Sequence, residues 1–416
     1  MQDKTTQNIR LKGLNAPLQI EAPDVVRPLL DPILGGWPAF DAGPNACDVP
    51  PFASLHPEAD NRWTLEAPLA ENPSAKHNPI NAICDLIVEL SWERLRSQPD
   101  LLCLHAAALK FGGSLVLFPN ARRAGKSVLT ATLAQLGHDM FSDDFVPLAV
   151  NHETGVISGM ANGIAPRLRL PLPENLTPGL REWITGHIGP ANKQYGYLTG
   201  IDLPTSGTLA PVGAVVVLER VPDLAEPASL TPVGQDAAMA ALVSQNFGRH
   251  VHAGAILQVT DALTRSVPVL RLRYDRVEEA AELLNQSAVL HDLPAAQMPQ
   301  MDQPGPLPLA PLDTTQNQDA AEVDLDATFA QVPGFTQVQT EASLYLADAR
   351  GVTIHRLNPV SNVIWALLDA PLTGVEMVDV LQELYPDVGP AQLRKDALSA
   401  LQFMVQRHLV AEVPGA

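Results

Sequence analysis

The first two thirds of the chain alternate between segments with helical spacing of apolar residues and segments with the apolar density of buried strands. The pattern predicts helices over residues 81–96, 126–136 and 277–284. It predicts strands over residues 114–118, 139–142, 212–218 and 267–272. Such alternation is typical of an α/β domain, which we place at residues 77–287. Before it, residues 1–76 mix short apolar runs with Pro and Gly, which predicts a small β-rich N-terminal lobe.

A proline-rich stretch follows the α/β domain. Six prolines fall between positions 294 and 311, and a polar run at 314–318 comes after them. Because proline fixes φ and lacks an N–H group, this stretch can form neither a helix nor a central strand. We therefore predict an extended linker over residues 288–325.

The pattern changes again after the linker. Three short strands are predicted over residues 335–338, 343–347 and 352–355. Three helix starts then follow, at the proline after Asn358, at the capping box Thr373-x-x-Glu376 and at Pro390. Three strands and three helices in so short a segment predict a winged-helix-like α+β module over residues 326–416.

Charge and composition exclude several classes of partner. The 416 residues carry a formal net charge of −19, which argues against nucleic acid and against an anionic membrane surface. No apolar run approaches the roughly 18 residues of a membrane span. The first residues lack the apolar core of a signal peptide, so we expect a cytoplasmic protein. The three cysteines are odd in number and lack metal-ligand spacing, which predicts neither a disulfide framework nor a zinc site.

The strongest chemical motif is Ala-Gly-Lys-Ser at residues 124–127, between an apolar strand and a helix. Backbone N–H groups of such a turn can bind phosphates, Lys126 can neutralise β and γ oxygens, and Ser127 can ligate Mg²⁺. A bare Gly-Lys-Ser is frequent by chance, and the alternative is a solvated basic turn that opens a helix. The position after a buried strand, with an acidic pair at the end of the next strand, favours a nucleotide site for ATP and Mg²⁺.

The loop before this motif departs from the usual phosphate-loop sequence. Asn120 stands where glycine is usual, and asparagine is the least costly substitute where φ is positive. Arg122 and Arg123 occupy positions where small residues are usual, so they either add charge against a triphosphate or crowd it. The predicted nucleotide-binding set is Asn120, Arg122, Arg123, Ala124, Gly125, Lys126 and Ser127.

An acidic pair, Asp143 and Asp144, ends the strand predicted at 139–142, where open α/β sheets bind ligands. Adjacent strand residues face opposite ways, so the two carboxylates are expected to have different roles. Phosphoryl transfer needs one carboxylate near Mg²⁺ and one that accepts the proton of the attacking hydroxyl. The alternative is an ordinary polar strand end. His105 stands alone in an apolar run, which by itself favours a core histidine.

Four short motifs resemble, in order and spacing, the catalytic domain of HPr kinase/phosphorylase and its related serine kinases. They are Leu-His at 104–105, Gly-Lys-Ser at 125–127, Gly-His at 137–138 and Asp-Asp at 143–144. The resemblance spans about residues 80–286. It implies an ATP-dependent serine kinase whose α/β P-loop domain has a core like that of phosphoenolpyruvate carboxykinase.

The resemblance also implies a role for each matching residue. Lys126 and Ser127 become phosphate and Mg²⁺ ligands, and Asp143 becomes the general base. Asp144 becomes a metal ligand or second acid. His105 becomes a catalytic-site residue, which reverses the interpretation from the residues alone.

One family signature, a later Arg-Gly-Leu-Gly segment with a glutamate, is missing from the chain. Residues 161–169 stand in its place. Because HPr kinases use that signature for metal binding and for the reverse reaction, neither HPr as substrate nor a reversible reaction is expected. Arg167 and Arg169 in this segment can contact phosphate or substrate, although a surface pair is the more frequent outcome.

The C-terminal module resembles PqqD, the peptide-recognition element of pathways that modify ribosomally made peptides. The resemblance covers about residues 327–412 and depends on Leu-Asn-Pro at 357–359, the apolar helix at 363–369, the Thr373-x-x-Glu376 helix and Asp396 in the third helix. In that family an extended leader peptide adds as a strand to the sheet edge and packs against the third helix. Residues 353–355 and the exposed face of 395–407 are then expected to line the groove.

Together these observations predict a kinase that phosphorylates a Ser or Thr of a precursor peptide held by the C-terminal module. Two alternatives stay open from the sequence. One is a nucleotide-binding protein that recognises peptides without chemistry, and the other is a serine kinase that regulates a folded protein. The oligomeric state is also open, and a homo-oligomer is possible.

Overall fold

A computed structural model of the chain describes residues 6–41, 49–67, 75–76, 78–119, 124–246, 251–298, 323–348 and 350–414. The chain divides into two compact units. The first comprises Met1–Gly248 with Ala262–Met301, and the second comprises Arg249–Asp261 with Asp302–Ala416. None of the helices in the described ranges combines the length and apolar character that crossing a bilayer requires.

The strands up to residue 298 are β1 (Thr6–Leu11), β2 (Leu18–Glu21), β3 (Ala39–Asp41), β4 (Ala53–Pro57), β5 (Trp63–Glu66), β6 (Ala75–Lys76), β7 (Leu102–Leu104), β8 (Ala106–Phe111), β9 (Ser114–Pro119), β10 (Met140–Ser142), β11 (Val146–Val150), β12 (Ile157–Met160), β13 (Arg167–Arg169), β14 (Ile188–Ala191), β15 (Tyr195–Leu198), β16 (Leu209–Arg220), β17 (Ser229–Pro232) and β18 (Val269–Tyr274). The helices are α1 (Pro23–Ile33), α2 (Pro79–Ser97), α3 (Lys126–Gln135), α4 (Pro178–His187), α5 (Gln235–Val243), α6 (Ala253–Ser266) and α7 (Val277–Gln286). Short 3-10 helices lie at Ala59–Asn61 and Ala288–Leu290.

The N-terminal lobe is a six-stranded sheet in the order β3-β1-β2-β4-β5-β6. Helices α1 and α2 contribute to one core with this sheet, through residues such as Leu30 and Leu86. The β-rich character that the composition of this segment predicts is therefore present, and the lobe shares its core with the helix that opens the next domain.

A nine-stranded sheet is the centre of the first unit, with the order β10-β8-β9-β16-β12-β11-β7 and with β18 and β17 branching from β16. Strand β9 runs parallel to β16, and β16 runs parallel to β18. Helices α3, α4 and α7 contribute to the core beside these strands. This mixed α/β arrangement agrees with the fold class that the sequence predicts, although many of its strands are antiparallel.

The beginning of the predicted linker packs on the first unit. Ala296 donates its N–H to the carbonyl of Val212 at 2.7 Å and accepts one from Ile157 at 2.8 Å. Leu290 and Ala296 are fully buried. The prolines of this stretch do not prevent packing, because an extended segment can lie along a sheet without contributing every N–H group. Residues 299–322 of the predicted linker lie outside the described residues.

The second unit contains strands β19 (Thr328–Gln331), β20 (Thr336–Gln339), β21 (Leu344–Ala347), β22 (Ile354–Leu357), β23 (Leu372–Thr373) and β24 (Val410–Val413). Its remaining helices are α8 (Pro359–Leu367), α9 (Gly374–Leu384) and α10 (Pro390–Gln406). They surround one apolar core that includes Trp365, Leu381 and Leu401.

The predicted caps of this module are present. The Asn358 side chain accepts the N–H of Ser361 at 2.8 Å, and Thr373 and Glu376 form the reciprocal capping box. The prediction of three strands was incomplete, since β20-β21-β22 form one sheet and β23-β19-β24 form another. The third predicted strand also begins later, at Ile354, because Gly351 with a φ of 75° extends the preceding turn.

Candidate functional site

The turn between β9 and α3 ends in a conformation that requires glycine. Gly125 has a φ of 79° and precedes the first residue of α3. A Cβ atom at Gly125 would lie 3.3 Å from the hydroxyl of Tyr274. That hydroxyl donates a short hydrogen bond to the carbonyl of Ala124, which fixes the end of the turn against β18. The predicted loop residues Asn120, Arg122 and Arg123 lie outside the described residues.

Lys126 is a buried cation with an ion pair but no hydrogen bond to its ammonium group among the described residues. Its residue surface is 7% exposed, and its Nζ has no hydrogen-bond partner among the described residues. It forms a long ion pair with Asp144, whose Oδ1 lies 3.8 Å away. Burial lowers the pKa of Lys126, and the carboxylates of Asp144 and Asp143 oppose that shift. Since a buried charge that lacks hydrogen bonds is costly, this ammonium fits a site that receives an anion such as phosphate.

Asp144 lies among three basic side chains. His105 Nε2 lies 2.8 Å from its Oδ1, and Arg167 Nη2 lies 4.0 Å from its Oδ2. Burial alone would raise the pKa of Asp144, but the His105 hydrogen bond and the Lys126 charge outweigh it and lower that pKa. The Asp144 side chain is 48% exposed, so an ionised carboxylate remains accessible to a metal ion.

Asp143 has the opposite environment. It is 6% exposed, and its Oδ2 accepts the backbone N–H of Arg167 at 2.9 Å. Burial, followed by the charge of Asp144, raises the pKa of Asp143 to about 6. A carboxyl group with a pKa near neutrality suits general base chemistry, whereas a strongly acidic one suits metal binding. The adjacent acids therefore differ in exposure and acidity.

A buried serine and asparagine hold the acidic turn in place. Ser142 Oγ accepts the N–H groups of Asp144 and Phe145 at 3.2 and 3.1 Å. The same oxygen accepts the Asn162 side-chain amide at 3.0 Å. Asn162 in turn accepts the N–H of Ile164 at 3.0 Å. The bond from Asp144 is part-buried and the other three are buried, so the orientation of the acids is set before any ligand arrives.

The structure thus brings together His105, Lys126, Asp143 and Asp144 from separate parts of the chain. The other motif histidine, His138, lies elsewhere, since its ring nitrogens are 3.1 Å from the Lys110 carbonyl and 3.0 Å from Asn285 Oδ1. His138 therefore joins α3 to β8 and α7.

The two arginines of residues 161–169 differ. Arg169 is exposed, which fits the surface role favoured from the sequence, whereas Arg167 contacts both aspartates. Arg167 therefore belongs to the candidate site, whereas the sequence favoured a surface position for it.

The metal-ligating potential of the site is limited to a few oxygens. Ser127 lies half-buried in the first turn of α3, and Asp144 is the accessible carboxylate. No group of three His, Cys, Asp or Glu that could hold a metal is present in the described ranges. Mg²⁺ in phosphate sites commonly uses one or two protein oxygens with phosphate and water. The residues present therefore fit Mg²⁺ bound together with a nucleotide.

A second candidate site lies in the C-terminal module, at the edge of its β20-β21-β22 sheet. Strand β22 pairs with β21 on one side only among the described strands. His355 of β22 meets Phe403 of α10 edge to face, with ring centroids 6.5 Å apart. Phe403 is 41% exposed, and Arg407 lies over its ring at 5.7 Å. The open strand edge thus offers backbone hydrogen bonds, and the neighbouring helix offers an exposed aromatic surface.

Comparisons with known proteins gave one family match and a group of similar solved structures. Residues 344–410 match the family model of Coenzyme PQQ synthesis protein D (PqqD), so the C-terminal module contains a PqqD domain. An Hpr(Ser) kinase/phosphatase from Coxiella burnetii is among the similar solved structures. It has 15% sequence identity and a TM-score of 0.20, with coverage of 42% of this chain and 85% of that chain. A search of curated proteins found no match.

Proposed function

We propose that this chain is an ATP-dependent kinase that transfers the γ-phosphoryl group to a Ser or Thr of a ribosomally made precursor peptide. The observation that carries the proposal is the buried ammonium of Lys126, which makes no hydrogen bond within the described residues and lies beside two aspartates of different acidity. This is the charge arrangement that an anionic nucleotide and its metal ion complete.

The proposed nucleotide-binding groups come from one turn and one strand end. Lys126 would bind the β- and γ-phosphate oxygens, and the first N–H groups of α3 would add to its positive field. Ser127 and Asp144 would hold Mg²⁺. When bound, Mg²⁺ neutralises charge that develops on the phosphate oxygens.

The proposed general base is Asp143. Its carboxylate would take the proton of the attacking Ser or Thr hydroxyl while the hydroxyl oxygen forms a bond to the γ-phosphorus. The bond from that phosphorus to the bridging oxygen of ADP breaks in the same transfer, and ADP leaves with the electron pair. His105 would orient Asp144 through the 2.8 Å contact, which keeps that carboxylate ionised.

The proposed peptide site is the groove between β22 and α10. A leader peptide would pair with the open edge of β22 through backbone hydrogen bonds, and an apolar side chain would pack on Phe403. Holding the peptide in this way raises its concentration near the catalytic residues and offsets part of the entropy lost when a disordered chain is ordered.

A direct experiment uses the intact protein with Mg-ATP and a short peptide encoded beside its gene. Mass spectrometry of the peptide should reveal one added phosphoryl group on a Ser or Thr, with the Asp143→Asn variant as the inactive control. If the peptide binds the protein tightly but stays unmodified at every concentration of ATP, the kinase proposal is contradicted. That result would favour a protein that recognises the peptide without phosphorylating it.

The activity should depend on pH through Asp143. Its pKa is raised to about 6 and its working form is the carboxylate, so kcat/KM should fall as the pH decreases through about 6. The fall should approach tenfold per pH unit, with a plateau at higher pH. A pH series of initial rates at limiting peptide tests this. An acid limb near the ordinary aspartate pKa of about 4 would show that Asp143 is not the base.

Phe403→Ala should weaken binding of the leader peptide by about 10- to 100-fold, because an exposed aromatic anchor commonly dominates a small interface. Fluorescence anisotropy of a labelled peptide measures this. The matched control is Leu384→Ala, which removes a comparably exposed apolar side chain at the end of α9. Equal effects of the two substitutions would place the peptide elsewhere.

A further inference from the structure

Arg167 contacts both aspartates of the site. Its backbone N–H donates to Asp143 Oδ2 at 2.9 Å, and its guanidinium Nη2 lies 4.0 Å from Asp144 Oδ2. Arg167 begins β13, so the chain enters a strand as it passes the acidic turn.

The guanidinium packs against an aromatic ring. It lies over the Tyr195 ring, with Cζ 4.9 Å from the ring centroid. Strand β13 pairs with β15, which places Arg167 opposite Tyr197. The Cys84 sulfur lies 3.2 Å from the Tyr197 hydroxyl. The Tyr195 ring therefore orients the guanidinium in addition to the long ion pair with Asp144, a favourable condition for binding a charged ligand.

The segment before Arg167 is anchored to the N-terminal lobe. Ala165 donates its N–H to the Ile33 carbonyl at 2.7 Å, and Gly36 donates to the Gly163 carbonyl at 3.0 Å. Gly163 has a φ of 69°, and a Cβ atom there would lie 2.6 Å from the Gly36 backbone. This close backbone contact fixes where β13 begins, and hence where Arg167 lies.

Two cations approach the two oxygens of Asp144 without completing a hydrogen bond to either. Lys126 Nζ lies 3.8 Å from Oδ1, and Arg167 Nη2 lies 4.0 Å from Oδ2. Both distances exceed those of charge-assisted hydrogen bonds, about 2.7–2.9 Å. One carboxylate thus only partly satisfies two cations, whereas a phosphoryl group has several oxygens that can accept from both.

We infer that Arg167 binds the γ-phosphoryl group of ATP and does not contact the β-phosphate. Lys126 binds both the β- and the γ-phosphate. This inference rests on the proposed function, since it assigns a further ligand to the same nucleotide. Its consequence is selectivity, because ADP lacks the group that Arg167 contacts. Arg167 then favours ATP over ADP.

The test compares nucleotide affinities rather than turnover. Isothermal titration of the full chain with Mg-ATP and with Mg-ADP should give about 10- to 100-fold weaker ATP binding for Arg167→Met, with ADP affinity unchanged. The backbone N–H to Asp143 survives this substitution, so the variant isolates the guanidinium. Arg169→Met, an exposed residue of the same strand, is the matched control and should bind both nucleotides like the wild type.

Other outcomes separate this inference from the proposed function. Equal losses of ATP and ADP affinity in Arg167→Met would indicate a structural role and overturn the inference, as would unchanged ATP affinity. If Arg167→Met does not fold, Arg167→Lys replaces it, and this variant should show a smaller loss confined to ATP. If the wild-type protein binds both nucleotides, the proposed nucleotide site stands in each of these cases. If the wild-type protein binds neither nucleotide, the proposed nucleotide site is wrong.

Discussion

Asp143→Asn is expected to lower the turnover number of phosphoryl transfer by about 10²- to 10⁴-fold, the range for loss of a general base. The amide keeps the shape of the side chain and can still accept the N–H of Arg167, so folding should be preserved. It cannot take the proton of the attacking hydroxyl. Because we assign no metal or phosphate contact to Asp143, ATP affinity should change little.

The measurement for this variant pairs initial rates with a titration of Mg-ATP. Asp139→Asn is the matched control, since Asp139 lies just before the same strand, is exposed and has its side chain in a 3.9 Å ion pair with Lys110. The control should retain the wild-type rate. A variant Asp143→Asn with near-normal turnover, or one that loses nucleotide binding in parallel, would contradict the assignment of Asp143 as base.

Lys126→Met is expected to weaken binding of Mg-ATP by about 100-fold or more, because it removes the buried cation proposed to bind the phosphates. The substitution should also leave the melting temperature unchanged or raise it. The ammonium of Lys126 is buried without a hydrogen-bond partner among the described residues, and methionine fills similar space without that desolvation penalty. The opposite signs of the two effects distinguish a binding role from a structural one.

Calorimetric titration and thermal denaturation of the same samples check both effects. Lys110→Met is the control, because Lys110 is a partly exposed lysine of β8 paired with Asp139. A large fall in melting temperature for Lys126→Met would mean that Lys126 stabilises the fold through Asp144. Unchanged ATP affinity would mean that Lys126 and the turn before it do not bind the phosphates of ATP.

Local sequence signals predicted much of the fold around the site. The apolar run of β9, the glycine with positive φ and the helix of α3 are adjacent in the chain, so composition and spacing suffice to place them. The Thr373 capping box is likewise a four-residue signal, and the structure has it where the sequence predicts it.

Contacts between distant segments could not be predicted in this way. Strand β19 pairs with β24, and nothing in the short segment Thr328–Gln331 indicates a partner near the end of the chain. Arg167 reaches the acidic pair only because the preceding segment binds the Ile33–Gly36 turn. That placement depends on long-range backbone hydrogen bonds, which the spacing of residue types along the sequence does not indicate.

The interpretation of His105 shows the limit of residue-level reasoning. Alone in an apolar run, it favours a core histidine, and only the family resemblance suggested a site residue. In the structure its neighbours are buried, but its own ring reaches a half-exposed carboxylate, Asp144, at 2.8 Å. A single polar residue at a strand boundary can lie in the core or in a functional site, and the neighbouring residues in the sequence do not show which.

The most direct measurement of the central claim is a crystal structure of the intact protein with Mg²⁺ and a non-hydrolysable ATP analogue. The account predicts the terminal phosphate against Lys126 Nζ, with Mg²⁺ between that phosphate, Ser127 and Asp144. An analogue bound away from the β9–α3 turn, or a metal ion that leaves both aspartates uncontacted, would contradict it.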